Sequence, residues 1–155
     1  MAAQPPSCVF CQIQAGQAPA QVVAEDDLSL CILDTNPFCE GHCLVIPRRH
    51  VPWWHDLTPE ETMSLFGLAR RAAALLMEAF ASDFVGMYAR GRRIPHTHIF
   101  LVPTRSGDVL DGFFNALERF QEAPCGLAEL ADAEGLARAA QRIAQARQRL
   151  EPGGR

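Results

Sequence analysis

Asp56-Leu-Thr-Pro-Glu-Glu61 constrains the fold more than any other stretch, because it carries every local signal of a helix start. Thr58 can cap, Pro59 suits the first turn, and Glu61 completes a capping box. Phe66, Ala69, Ala73, Leu76 and Phe80 then recur at the 3/4 spacing of one buried helix face. A long helix with a single apolar face needs a broad surface to lie on, and β-like runs stand on both sides of it. Residues 21–25 and 28–34 read as a hairpin around the acidic turn Glu25-Asp26-Asp27. Residues 36–41, with Pro37 and Gly41, read as a loop leading to a third strand over 42–47, which Pro47 ends. Beyond the helix, strands over 84–88 and 94–102 flank the basic segment Arg90-Gly-Arg-Arg93, and Pro103 closes the second of them. The last third is helical in character. Residues 110–120 form a short amphipathic candidate, and Asp132 can cap a helix to Leu150 with Leu136, Ala140 and Ile143 on one face. Strands, one long helix, more strands and then helices make an α+β chain, not a regular βαβ series.

At 155 residues the chain is expected to be one domain over 1–155, with 1–7 a loose tail and 104–155 a C-terminal helical extension. A formal net charge of −4 leaves no polyanion-binding footprint, which argues against bulk nucleic-acid binding. The start, MAAQPPSCVF, has no basic or apolar signal region, and no apolar run approaches the ~20 residues that span a bilayer. A cytoplasmic protein with no membrane partner is the expectation, and its six cysteines should stay reduced. Cys31, in an apolar run, reads as a small buried hydrophobe; Cys39, Cys43 and Cys125 carry no signal.

Cys8 and Cys11 differ, because a C-x-x-C pair offers two thiolates at a spacing one tetrahedral Zn²⁺ accepts. The rival readings are a redox dithiol and plain structural cysteines. A redox pair usually opens a helix after a strand, whereas this one sits near the chain start. A zinc site needs two more ligands. Of the five histidines, His50 follows Pro47-Arg-Arg directly after a strand and His96 lies in one. The physical reading is a structural Cys₂His₂ zinc site tying the N-terminus to the sheet.

Arg93-Ile-Pro-His96-Thr-His98-Ile-Phe100-Leu-Val-Pro103 is the densest chemical signal. In a strand, residues i and i+2 share a face about 6.6 Å apart, so His96, His98 and Phe100 are expected to point one way. Paired imidazoles suit metal binding, acid–base work or nucleophilic attack on phosphorus.

These segments together resemble the histidine-triad (HIT) superfamily. Cys-Val-Phe-Cys-Gln-Ile is similar to the opening of its zinc-bearing members, and Cys31-Ile-Leu-Asp-Thr-Asn-Pro37 and Gly41-His-Cys-Leu-Val-Ile-Pro-Arg-Arg-His50 to its central run. Pro95-His-Thr-His-Ile-Phe-Leu-Val-Pro103 resembles the signature His-φ-His-φ-His-φ-φ followed by proline. The matches keep their order over roughly residues 8–103. The resemblance implies a HIT-like fold, with an antiparallel sheet, one long central helix and additional C-terminal helices. It also implies attack by the middle histidine, here His98, on the α-phosphorus of a nucleotide, forming a nucleotidyl-histidine that water or another acceptor resolves. By the same resemblance His42 helps hold the triad, Asp34 binds the ribose hydroxyls, and zinc takes Cys8, Cys11, His50 and His96. A homodimer is expected by the same analogy.

Two departures stand out. Leu101-Val102-Pro103 fits the family spacing only if Phe100 occupies the third triad position, and phenylalanine cannot hydrogen-bond phosphate. The Gly-Gln expected before the triad, and an asparagine upstream, have no clear counterpart. Gly91-Arg92 is the nearest match, so Arg92 can stand where a phosphate-contacting glutamine is expected; the alternative is a solvated basic loop.

The reading is a HIT-type nucleotidyl hydrolase or transferase acting on a dinucleoside polyphosphate or nucleoside phosphoramidate. Its site residues are His98 and His42 (catalytic), Asp34, Arg92 and Phe100 (substrate) and a structural Zn²⁺. The alternatives are a catalytically impaired module that binds nucleotide or a protein partner, and a zinc-dependent redox or scaffold protein.

Overall fold

In a computed structural model, residues 8–89, 93–119 and 132–150 are described. The chain divides into two compact units, Met1–Asp108 and Val109–Arg155. The first holds a five-stranded antiparallel sheet in the order β1-β2-β3-β5-β4. Its strands are β1 (Val22–Glu25), β2 (Ser29–Leu33), β3 (Cys43–Pro47), β4 (Phe84–Tyr88) and β5 (Ile99–Thr104). Among the described residues this unit also holds two α-helices, α1 (Val9–Gln14) and α2 (Pro59–Phe80).

Strands β2 and β3 are apolar on both faces because both faces are covered. Cys31, Cys43, Val45, Ile99 and Leu101 pack against α2. Leu30, Ile32, Leu44 and Ile46 form the opposite cluster with Cys8, Phe10 and Cys11. The expected capping box is present: Glu61 N–H donates to Thr58 Oγ1, and Thr58 N–H donates to the Glu61 carboxylate at 2.9 Å. The helix is rolled relative to expectation, however. Leu65, Leu68, Ala69, Ala72 and Leu76 are buried, Phe66 is exposed, Ala73 half-buried, and Phe80 lies at the margin of the core. Small and medium side chains let the helix lie close to the sheet, so the bulky Phe66 turns outward.

The acidic turn ties the hairpin to this helix. The Asp26 carboxylate accepts hydrogen bonds from Leu28 N, Ser29 N, Ser64 Oγ and Arg71 Nη2. Burial alone would raise its pKa, but these donors hold it below the usual carboxylate value.

Two expectations about local structure need correction. Cys8 and Cys11 do open a helix, with Cys8 at the N-cap of α1. Strand β5 begins at Ile99, not Ile94, and runs through Pro103 to Thr104. The chain bends first, with His96 N–H donating to Ile94 O. Proline is accommodated because β3 pairs with β5 only as far as Leu101, so beyond that point β5 keeps β4 alone as its ladder partner.

The second unit contains α3 (Val109–Arg119) and α4 (Ala133–Leu150). Asp132 caps α4 as expected, its carboxylate accepting from Gly135 N at 2.6 Å. Among the described residues no helix is long and apolar enough to cross a membrane. The expected tail 1–7, and the residues Arg90, Arg92, Phe120 and Cys125, lie outside the described residues.

Candidate active site and metal centre

Helix α1, the loop after β3 and the bend before β5 bring Cys8, Cys11, His50 and His96 together. Their ligand atoms all lie within 4.8 Å of one another. Cys8 Sγ is 3.4 Å and Cys11 Sγ 3.7 Å from His96 Nδ1, and Cys11 Sγ is 3.3 Å from His50 Nδ1. Tetrahedral Zn–S and Zn–N bonds place ligand atoms about 3.3–3.8 Å apart, so the four converge on the right scale. His96 Nε2–H donates to Pro47 O at 2.9 Å, which fixes its tautomer and leaves the Nδ1 lone pair facing the thiols. Burial pushes the His96 pKa down to about 4, keeping the ring neutral as a ligand must be. Burial and the neighbouring Cys8 push the Cys11 thiol up to about 11, so two ionised thiolates here call for a cation. The donor set fits a metal. Because the cysteines do open a helix, it is the convergence of two imidazoles that separates this cluster from a redox dithiol.

His98 stands apart from that cluster. His96, His98 and Phe100 were expected on one strand face, but the first two precede β5. The His96 ring turns toward the cysteines, while His98 is buried with Nδ1–H donating to His96 O at 2.7 Å. A proton held on Nδ1 leaves the Nε2 lone pair free. Phe10 packs against both imidazoles, with ring centroids 5.6 Å from His96 and 5.3 Å from His98.

On the same sheet face a row of rings runs from Phe38 through His42 and Phe100 to Tyr88. Phe38 stacks on His42 at 5.0 Å, His42 on Phe100 at 5.5 Å, and Phe100 on Tyr88 at 4.5 Å with planes 3° apart. Phe100 also lies 5.0 Å from His98. Strand order explains the row: β5 lies between β3 and β4, and Tyr88 is the direct cross-strand partner of Phe100. His42 is 1 % exposed. Its Nδ1 accepts from Phe38 N–H at 3.2 Å, so the neutral ring carries its proton on Nε2. Asp34 Oδ2 is 3.6 Å from the same Nδ1, beyond hydrogen-bond reach, and burial outweighs its charge to lower the His42 pKa. His42 Nε2 is buried without a hydrogen-bond partner among the described residues. Asp34, half-buried just after β2, also accepts from Asn36 N at 2.8 Å.

The expected residues therefore form two groups: Cys8, Cys11, His50 and His96 in one, and Asp34, His42, Phe100 and His98 in the other. Arg92 lies outside the described residues. Sequence reasoning missed Phe10, Phe38 and Tyr88. Phe10 lay within the Cys-Val-Phe-Cys motif, and Tyr88 was within reach of Phe100 had the two strands been paired in register.

The HIT domain family matches residues 15–107, more than half the chain. The adenylylsulfatase HINT3 of Arabidopsis thaliana is 36% identical over 108 residues, which cover 66% of this chain and 55% of that protein. The adenosine 5′-monophosphoramidase hnt1 of Schizosaccharomyces pombe is 31% identical over 102 residues, covering 63% of this chain and 74% of that one. A solved Zn-bound histidine triad family protein from Mycobacterium smegmatis superposes with a TM-score of 0.63 at 36% identity, over 67% of this chain and 79% of that one. With the antiparallel sheet, its long helix and the clustered histidines in place, these matches make the chain a member of the HIT domain family.

Proposed function

We propose that the chain is a nucleotide hydrolase or nucleotidyltransferase that works through His98. One observation carries the reading: the buried His98 imidazole is held by its Nδ1–H on a backbone carbonyl, which leaves Nε2 as the nitrogen for attack. The Nε2 lone pair forms a bond to the α-phosphorus of a nucleotide conjugate while the bond to the leaving group breaks. Water then attacks the nucleotidyl-histidine, the P–N bond breaks with its electron pair returning to Nε2, and the proton of the attacking water passes to solvent. In this reading Asp34 binds the ribose hydroxyls, and His42 Nε2–H, without a hydrogen-bond partner among the described residues, meets an anionic oxygen. The names of the relatives, an adenylylsulfatase and a phosphoramidase, support a nucleotidyl conjugate as substrate.

Zinc is the ion that Cys8, Cys11, His50 and His96 fit best. Four protein ligands would close its coordination shell, so a bound ion would supply a cross-link between α1, the end of β3 and the segment that carries His98. A cytoplasmic homodimer completes the reading. The exposed apolar side chains Met63, Phe66 and Met77 of α2 and Met87 of β4 give it a surface, and sedimentation at the dimer mass checks it.

Single-turnover trapping tests the chemistry. An activated adenylyl conjugate is expected to leave an adduct on the peptide containing His98, absent in His98→Ala. Phe100 favours a second reading, a module that binds nucleotide without turnover, because the third triad position has lost its polar group. Micromolar nucleotide binding with no adduct would establish that reading instead.

A further inference from the structure

Breaking the bond to phosphorus requires that something receive the departing electron pair, and the surroundings of His98 limit what that can be. This step rests on the nucleotidyl transfer proposed above. Phe100 is held on three sides by rings: His98 at 5.0 Å, His42 at 5.5 Å and Tyr88 at 4.5 Å. A phenyl group packed in this way can neither donate a hydrogen bond nor give up a proton. Beside it, His42 is a neutral imidazole with its proton on Nε2, buried and partnerless among the described residues. Such an N–H can hydrogen-bond an anionic oxygen. Surrendering the proton would leave an imidazolate, a far stronger base than an amine. Around His98, then, the His42 and Phe100 side chains supply a donor for developing charge and no acid.

We propose that Phe100 makes the acidity of the leaving group the specificity determinant: the site takes nucleotidyl mixed anhydrides that release a stable oxyanion, such as sulfate or a carboxylate, and discriminates against conjugates that release an amine. With an anhydride, His98 Nε2 forms the P–N bond, the P–O bond breaks, and the electron pair leaves on oxygen with no proton needed. With a phosphoramidate the pair leaves on nitrogen, which must take up a proton as the bond breaks. The His42–Phe100 pair cannot provide it. Among the described residues Tyr88 is the other ionisable ring stacked on Phe100, and strand order puts it on the opposite side of that ring from His42.

The test is single-turnover adduct formation by the full chain with adenylyl sulfate, an acyl adenylate and an adenosine phosphoramidate of a primary amine. Phe100→His introduces a group that can carry a proton. It is expected to raise the amine rate by about 10²-fold or more, the usual contribution of general acid catalysis, and to raise the sulfate rate far less. Phe100→Gln, a donor but not an acid, should not favour the amine selectively. A series of adenylyl aryl esters with the wild-type chain needs no substitution, and its rates should fall continuously as the phenol pKa rises. Equal amine-to-sulfate ratios in wild type and Phe100→His, or a flat aryl series, would overturn the proposal. So would loss of amine cleavage in Tyr88→Phe, which would make the phenol the acid. No adduct from any conjugate would overturn nucleotidyl transfer itself and this specificity with it, whereas adducts without leaving-group discrimination overturn the specificity alone.

Discussion

Gly41 joins the loop over residues 36–41 to β3 immediately before His42, and replacing it with alanine separates two physical demands. Its backbone has φ +82, in the left-handed region, where a Cβ costs about 1–2 kcal/mol. An ideal Cβ there would also lie 2.7 and 2.8 Å from Cδ2 and Cζ of Phe80, and closer still to Cε2. Ordinary contacts begin near 3.4 Å, so the ring at the end of α2 must move. Overpacking of this kind costs about 1–3 kcal/mol, which puts Gly41→Ala at about 2–5 kcal/mol in total. A double-mutant cycle with Phe80→Ala divides the sum, because removing the ring relieves the clash and leaves the backbone strain. Urea melts should show Gly41→Ala costing only about 1–2 kcal/mol in the Phe80→Ala background, the backbone part alone. The same substitution should slow adduct formation, since it displaces the His42 ring from the Phe38 N–H that fixes its tautomer. An equal cost in both backgrounds would refute the close approach of Phe80 as the reason for glycine, and a neutral Gly41→Ala would refute both parts.

Two further outcomes follow from the buried polar groups. His50→Ala, a substitution outside the His96–His98 segment itself, should abolish stoichiometric zinc and lower the melting temperature, after which a chelator has no additional effect. Full zinc retention, or a Cys8–Cys11 disulfide in metal-free protein, would sink the ligand set. Glu61 is held down to about 2, chiefly by the Arg49 guanidinium at 2.6 and 2.7 Å, against an ordinary value of 4.5. A depressed folded pKa contributes stability that is complete above pH 4.5 and lost as pH falls toward 2. Discounted for the half-exposed Arg49, that loss is about 1–2 kcal/mol. Urea midpoints measured across that window should fall more steeply in the native chain than in Glu61→Gln, and parallel curves would refute the pairing.

Features encoded by neighbouring residues were legible in the sequence. Thr58, Pro59 and Glu61 specify the start of α2 within four positions, and Asp132 does the same for α4. The roll of α2 was not legible, because it depends on which side chains fit between helix and sheet; Phe66 and Phe80 looked like core by hydrophobicity, yet Leu65, Leu68 and Ala72 fill it. Helix α1 was missed for a related reason. It is six residues long, has no side-chain N-cap bond, and is held by the burial of Phe10 and Cys11. The alternation of His96, His98 and Phe100 looks like one strand, but the bend at residues 94–96 is made by tertiary contacts: His96 Nε2 to Pro47 O, and Thr97 N to Val51 O at 2.6 Å. The donor types of the metal cluster were readable in one dimension. The ring row from Phe38 to Tyr88 was not, because it joins the loop before β3 to two strands, β4 and β5.

His96 is where the two groups of residues meet, and it does so with two different parts of one residue. Its imidazole belongs with Cys8, Cys11 and His50, while its carbonyl receives the Nδ1–H of His98. The Pro47 carbonyl braces the imidazole from the end of β3. In the proposed reaction the orientation of the nucleophile is therefore set by backbone and by the metal cluster, and not by the side chain at the third triad position. Supplying a proton or a hydrogen bond to the leaving group is a separate task, and that is the one Phe100 removes. Because the two tasks rest on different residues, the chain can keep a correctly tautomerised His98 beside an apolar neighbour. The loss at position 100 then bears on which leaving group can depart, and leaves intact the means by which His98 is aimed.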